Sequence, residues 1–129
     1  MNQIVGGCFC GSIRYEFGKN PDNSTVCYCA DCRKAIGAQS VAWVTLPVSD
    51  FKITKGNLKE YESSAGVFRG FCDKCGTSLS YRNTNWGGNI DIAIATLEKP
   101  EEHQPKGLVY PSQKIIWDTC LNIPVEHDL

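Results

Sequence analysis

A mainly β fold of short antiparallel strands with at most one short helix is what this 129-residue sequence predicts. Three observations carry the prediction. Short runs alternate apolar and polar residues, the period of a half-buried strand. Turn clusters rich in glycine, asparagine and proline separate them at close intervals. Only one stretch, Asp31 to Ala38, suits a helix, and it is short.

In chain order, Ser12-Ile13-Arg14-Tyr15-Glu16-Phe17 alternates cleanly, and Gly18 to Asn23 is turn chemistry. Thr25-Val26-Cys27-Tyr28 is β-prone and delivers a cysteine triplet from a strand end. The helix follows, with Asp31 as a start residue and Gly37 near its stop. Val41 to Leu46 reads as a buried strand ended by Pro47. Phe51 to Thr54 and Leu58 to Tyr61 flank Lys55-Gly56-Asn57, a hairpin signal. Beyond the break at Gly66, Val67 to Phe71 is a strand running into Cys72, and Leu79-Ser80-Tyr81 a strand leaving Cys75. Asn83 to Asn89 is a loop holding Trp86-Gly87-Gly88. Ile90 to Ile94 alternates, Glu98 to Gly107 is polar, and Lys114-Ile115-Ile116-Trp117 reads as a last short strand.

The length suits one domain over residues 1–129, small enough that metals or disulfides commonly support the core. Net charge is −1 and the isoelectric point about 6.1, so no global positive field invites nucleic acid or an anionic membrane. The opening residues lack the basic run and apolar stretch of a signal peptide, and no apolar run is long enough to span a bilayer. The expected compartment is the cytoplasm, where thiols stay reduced.

Eight cysteines are many for such a chain. A disulfide framework would spread them; here they cluster as Cys8-x-Cys10, Cys27-x-Cys29-x-x-Cys32 and Cys72-x-x-Cys75, with Cys120 alone. Close pairs suit a metal. Side chains two apart in a strand share a face, so Cys8 and Cys10 can present two sulfurs to one ion. Gly11 and Gly76 follow the last cysteine of each pair, where a backbone turning tightly around a bound sulfur needs glycine. Cys8, Cys10, Cys72 and Cys75 make a four-cysteine structural zinc site, with redox dithiols or unrelated thiols as the alternative.

The triplet Cys27, Cys29 and Cys32 lacks a fourth ligand. Cys27 and Cys29 share a strand face, and a helical turn joins Cys29 to Cys32. Three thiolates leave an open position, which marks zinc sites that do chemistry. Cys120 could close that position, or serve as a small buried apolar residue. Cys29 and Cys32 could instead form a redox pair. Arg33 and Lys34 either meet an acidic ligand or form a solvated helix face. His103 and His127 read as surface residues, Trp43, Trp86 and Trp117 as anchors, with Trp86 a candidate for a pocket mouth.

Cys8-Phe9-Cys10-Gly11, Cys27-Tyr28-Cys29-Ala30-Asp31-Cys32-Arg33 and Phe71-Cys72-Asp73-Lys74-Cys75-Gly76-Thr77 together resemble the glutathione-dependent formaldehyde-activating enzyme family, which includes centromere protein V. Trp43, Phe51 to Gly56, Tyr61 to Ser64 and Ile92 to Leu97 extend the likeness. The resemblance implies a β-tent zinc fold, a structural zinc on Cys8, Cys10, Cys72 and Cys75, and a catalytic zinc on Cys27, Cys29 and Cys32. It further implies a carbon–sulfur lyase that adds glutathione, or a related thiol, to formaldehyde or another small aldehyde. Two positions depart from the family pattern: Glu98 stands where an Asp is usual, and His103 is followed by Gln104-Pro105 rather than by apolar residues. A zinc-binding scaffold without turnover and a cysteine-based reductase are the competing functions.

Overall fold

The structure, a computed structural model, describes residues 3–18, 21–118 and 124. Its strands are β1 (Ile4–Gly7), β2 (Arg14–Phe17), β3 (Asn23–Cys27), β4 (Val41–Pro47), β5 (Lys52–Lys55), β6 (Lys59–Ser64), β7 (Val67–Phe71), β8 (Ser78–Asn83), β9 (Asn89–Ala93) and β10 (Gly107–Val109). The α-helix is α1 (Ala30–Ile36), and the remaining helical turns are short 3₁₀ segments. The fold is mainly β, as predicted. β1, β2 and β5 form a small sheet, and the others a large one in the order β10-β3-β4-β9-β8-β7-β6. Every pairing is antiparallel except that of β10 with β3, which is parallel.

β4 itself is packed on both faces, which explains why it reads as a continuous apolar run. Val44 and Leu46 face one way and join Ile90, Ile92 and Leu79 against Ile13, Tyr15 and Phe17, which come from β2 and the residue before it. Tyr15 and Phe17 are almost wholly buried, worth about 1.5–3 kcal/mol each by the area removed from water. Val41 and Trp43 face the other way and pack with Cys27, Cys32 and Ala93 under α1. One face is core; the other floors a site.

Three readings are corrected. The turn at Lys55-Gly56-Asn57 is a corner between sheets: β5 pairs with β2, whereas β6 pairs with β7 across Ala65-Gly66. Gly56 holds a left-handed φ of 78° and lies so close to the Ser12 carbonyl that a Cβ would collide with it. A hairpin and a corner have the same local pattern, and the packing of Tyr15 and Phe17 selects the corner. Lys114 to Trp117 is no strand; the chain makes a 3₁₀ turn at Pro111–Gln113 and a further turn that leaves Ile116 93 % exposed. Asp31 lies within the first turn of α1, and the residue capping that turn is Cys29. β1 and β10 had no clear alternation to announce them.

Candidate metal centre

Cys8 and Cys10 sit beyond the end of β1 in a turn, not in a strand as their spacing suggested. The Gly11 amide donates to the Cys8 carbonyl at 3.2 Å, and the Ile13 amide to Cys8 Sγ at 3.3 Å. The second pair repeats the device. The Gly76 amide donates to the Cys72 carbonyl at 2.8 Å, and the Lys74 and Cys75 amides both reach Cys72 Sγ at 3.4 Å. Gly11 and Gly76 share a φ of 81°, the left-handed geometry their place in the sequence called for. The Phe9 amide donates to Thr77 Oγ1 at 3.0 Å and joins the loops.

The four sulfur atoms lie within 4.8 Å of one another, Cys8 Sγ at 3.7 Å from Cys10 Sγ and Cys10 Sγ at 3.9 Å from Cys72 Sγ. A disulfide needs about 2.0 Å. Zinc–sulfur bonds of about 2.3 Å in a tetrahedron place sulfurs about 3.8 Å apart, so the spacing fits a metal. Burial opposes ionisation of Cys8, but the Ile13 amide and Ser12 hydroxyl outweigh it and bring the thiol down to about 7. The Thr77 hydroxyl and amide hold Cys75 at about 5. Both shifts favour the thiolate, the form in which cysteine binds a metal.

The triplet gathers at the end of the large sheet. Cys27 ends β3, Cys29 caps α1 by accepting the Cys32 amide on its sulfur at 3.3 Å, and Cys32 lies in the first turn. Cys27 is in the strand and Cys29 beyond it, so the cap brings their sulfurs to 3.4 Å, rather than a shared strand face. Cys27 and Cys32 are buried and Cys29 half-buried. Burial pushes Cys27 up to about 12 and raises Cys32; for Cys29 burial is outweighed by hydrogen bonds from the Cys32 amide and the neighbouring thiols, with Arg69 adding its charge. Three thiolates in so dry a place need more positive charge than one guanidinium, and a divalent cation would provide it.

Arg69 is the residue the sequence reading missed. It stands in β7, and its Nη1 lies 3.6 Å from Cys32 Sγ while its guanidinium rests 5.0 Å from the Tyr81 ring centroid. Its only local signal was a charge in an otherwise apolar strand. Of the two basic residues singled out earlier, Arg33 turns away to donate to the Tyr28 carbonyl at 3.1 Å, and Lys34 lines the cavity.

That cavity, about 890 Å³, opens over the triplet. Trp43 and Tyr81 wall it, and Trp86, 72 % exposed, stands at its rim as anticipated. The volume falls within the usual range for small-molecule sites. Among the described residues neither cysteine set includes a histidine, and the triplet has no fourth ligand. His103 is half-buried; Cys120 and His127 lie outside the described residues, so the proposed roles of both rest on sequence alone.

The model of the glutathione-dependent formaldehyde-activating enzyme family matches residues 3–113. The chain belongs to this family. All seven clustered cysteines fall within the match. An uncharacterized lyase of Schizosaccharomyces pombe is 28 % identical over 92 residues, which cover 66 % of this chain and 61 % of that protein. The chain thus aligns with about three-fifths of that relative's length. A crystal structure of a Rhodobacter sphaeroides protein superposes with a TM-score of 0.66 at 22 % identity, over 81 % of this chain and 99 % of that one, and shows the same fold. Among the described residues no helix is long and apolar enough to cross a membrane.

Proposed function

We propose that this chain is a zinc-dependent carbon–sulfur lyase that joins glutathione, or a related thiol, to formaldehyde or another small aldehyde. The observation that carries the reading is the three-cysteine set open to a ligand-sized cavity. Family membership supplies the substrate class and the lyase-named relative the reaction class. Cys8, Cys10, Cys72 and Cys75 would hold a structural zinc that ties the N-terminal loop to β7 and β8. Cys27, Cys29 and Cys32 would hold the catalytic one. When bound there, zinc supplies Lewis acidity that lowers the pKa of an incoming thiol.

The chain's own residues do the rest. Arg69 holds positive charge beside the sulfurs, Trp43 and Tyr81 exclude water from one side, and Lys34 offers a partner for a ligand carboxylate. In the reaction the thiol loses its proton to solvent, a carbon–sulfur bond forms at the aldehyde carbon, and the former carbonyl oxygen takes up a proton to give the hydroxymethyl thioether. Among the described residues no histidine joins the triplet, and a small, reactive aldehyde does not require a histidine base.

The test is the rate of thiol–aldehyde adduct formation above the uncatalysed rate, followed by NMR, with metal content measured in parallel. The wild type accelerates the reaction and carries two zinc ions. Cys32→Ser loses acceleration and one zinc but keeps its melting temperature within a few degrees, whereas Cys72→Ser loses the fold. No acceleration by the zinc-loaded wild type across several thiols and aldehydes refutes the enzyme reading; unfolding of Cys32→Ser refutes the division between the two sites.

A further inference from the structure

Beyond His103 the chain returns to the cysteine triplet as a strap, residues 107–118. Its first three residues are β10, whose register sets Val109 beside Cys27. The Val109 side chain packs against the cluster that holds Cys27, Cys32 and Trp43. The strap then bends through Tyr110, the one non-glycine among the described residues with a left-handed φ, 52°. Val109, Tyr110 and Gln113 form part of the cavity wall. The reaction proposed above uses none of them.

The strap is tied to the residues that separate the three cysteines. The Tyr28 amide donates to the Val109 carbonyl at 3.0 Å, and the Ala30 amide to Gln113 Oε1 at 2.9 Å. The Lys114 ammonium lies 4.9 Å from the centroid of the Tyr28 ring. Ala30 is the first residue of α1, so its amide has no partner within the helix and takes one from the strap. The remaining ties are the short pairing with β3, the Lys106 amide on the Ser24 carbonyl at 2.9 Å, and Gln39 Nε2 on Asp118 Oδ1 at 3.1 Å. The strap's large apolar side chains anchor it weakly, since Leu108, Tyr110, Ile116 and Trp117 are all more than half exposed.

A segment held by a few exposed hydrogen bonds and little buried apolar surface opens readily. Its docking is only as good as the surface it docks on, and here that surface is the turn from Cys27 to Cys32. Three ionised sulfurs at the distances found would repel one another. An ion bound among them reverses that, fixes the spacing of the cysteines and so fixes where the Tyr28 and Ala30 amides point. Such coupling is reciprocal: if the ion favours the docked strap, the docked strap favours the ion by the same factor.

We infer that the strap docks when a metal fills the triplet and loosens when the triplet is empty, with Gln113 as its latch, so that metal loading completes the cavity wall. The inference deepens the reading of the triplet as a zinc site and rests on it. It is tested by amide hydrogen exchange, followed by NMR, on wild type carrying both zinc ions and again after a chelator has removed the triplet's zinc. Emptying the triplet speeds exchange of the Lys106 and Gln113 amides about tenfold, within the usual range of such couplings. Both amides lie outside the metal-binding turn and are bonded to the Ser24 and Tyr110 carbonyls, so a purely local effect of the ion leaves them unchanged. Amides of β9 keep their rates. Gln113→Ala, at an exposed position, binds the triplet's zinc about threefold more weakly, the scale of one exposed hydrogen bond, and leaves the four-cysteine zinc as it was. Gln113→Glu keeps the acceptor and restores most of the affinity. Strap amides that exchange alike with and without the triplet's zinc overturn the inference, as does equal zinc affinity in wild type and Gln113→Ala. If wild type takes up zinc at the four cysteines alone, the metal reading of the triplet falls and this inference with it.

Discussion

Arg69→Met removes a positive charge that touches the triplet while keeping most of the side chain's length. In wild type the guanidinium lies 3.6 Å from Cys32 Sγ and is held by Ser63 Oγ at 3.2 Å and by the face of Tyr81. Two unit charges about 4 Å apart interact by about 4 kcal/mol at an effective dielectric near 20. Arg69 is half-buried, so solvent screens much of this; about 1.5 kcal/mol is a fair remainder. Metal binding requires all three thiols to lose their protons, and the guanidinium favours the charged form. Its loss therefore weakens zinc at the triplet about tenfold. The four-cysteine site, on the other side of β7's end, is unaffected. The assay is chelator competition on the two-zinc protein, read as two release steps. The weaker step moves to about tenfold lower chelator concentration in Arg69→Met and returns most of the way in Arg69→Lys. Identical release by wild type and Arg69→Met, or equal weakening of both steps, refutes a specific role for this charge.

Two further expectations concern the frame. Gly56→Ala, at a left-handed φ and against the Ser12 carbonyl, costs more than about 2 kcal/mol in urea unfolding; Gly37→Ala, with φ 75° and open space around the Cβ, costs only about 1 kcal/mol. Equal costs would show that the corner between the sheets tolerates adjustment. Burial pushes the Tyr15 hydroxyl up to about 12, with its bond to Thr96 Oγ1 opposing. A raised folded pKa means that the stabilising neutral form is fully present below the unfolded value near 10 and lost as pH rises through 12, a fall of about 2.7 kcal/mol. Tyr15→Phe flattens that alkaline limb and costs about 1 kcal/mol at neutral pH; an unchanged alkaline limb would place the transition elsewhere.

Much of the site was legible because its determinants are local. A cysteine, one or two intervening residues, a second cysteine and a glycine define a loop whose amides and left-handed φ depend on little outside it, and Cys29-Ala30-Asp31-Cys32 closes on itself through a helix cap. Alternation likewise marked β2 and β9, and an apolar run marked β4, since burial of one or both faces imprints itself on the strand. What no window of sequence could contain was pairing between distant strands. Whether Phe51 to Tyr61 is a hairpin or a corner depends on where Tyr15 and Phe17 need partners. The three residues of β10 are a strand only because β3 offers an edge. Arg69 and Tyr81 reach the pocket through register, since a shift by one residue would turn both to the opposite face. Sequence alone determined which sulfurs gather and how each loop grips them; tertiary structure decided what surrounds the triplet, because neighbours across a sheet are chosen by the packing of its far side.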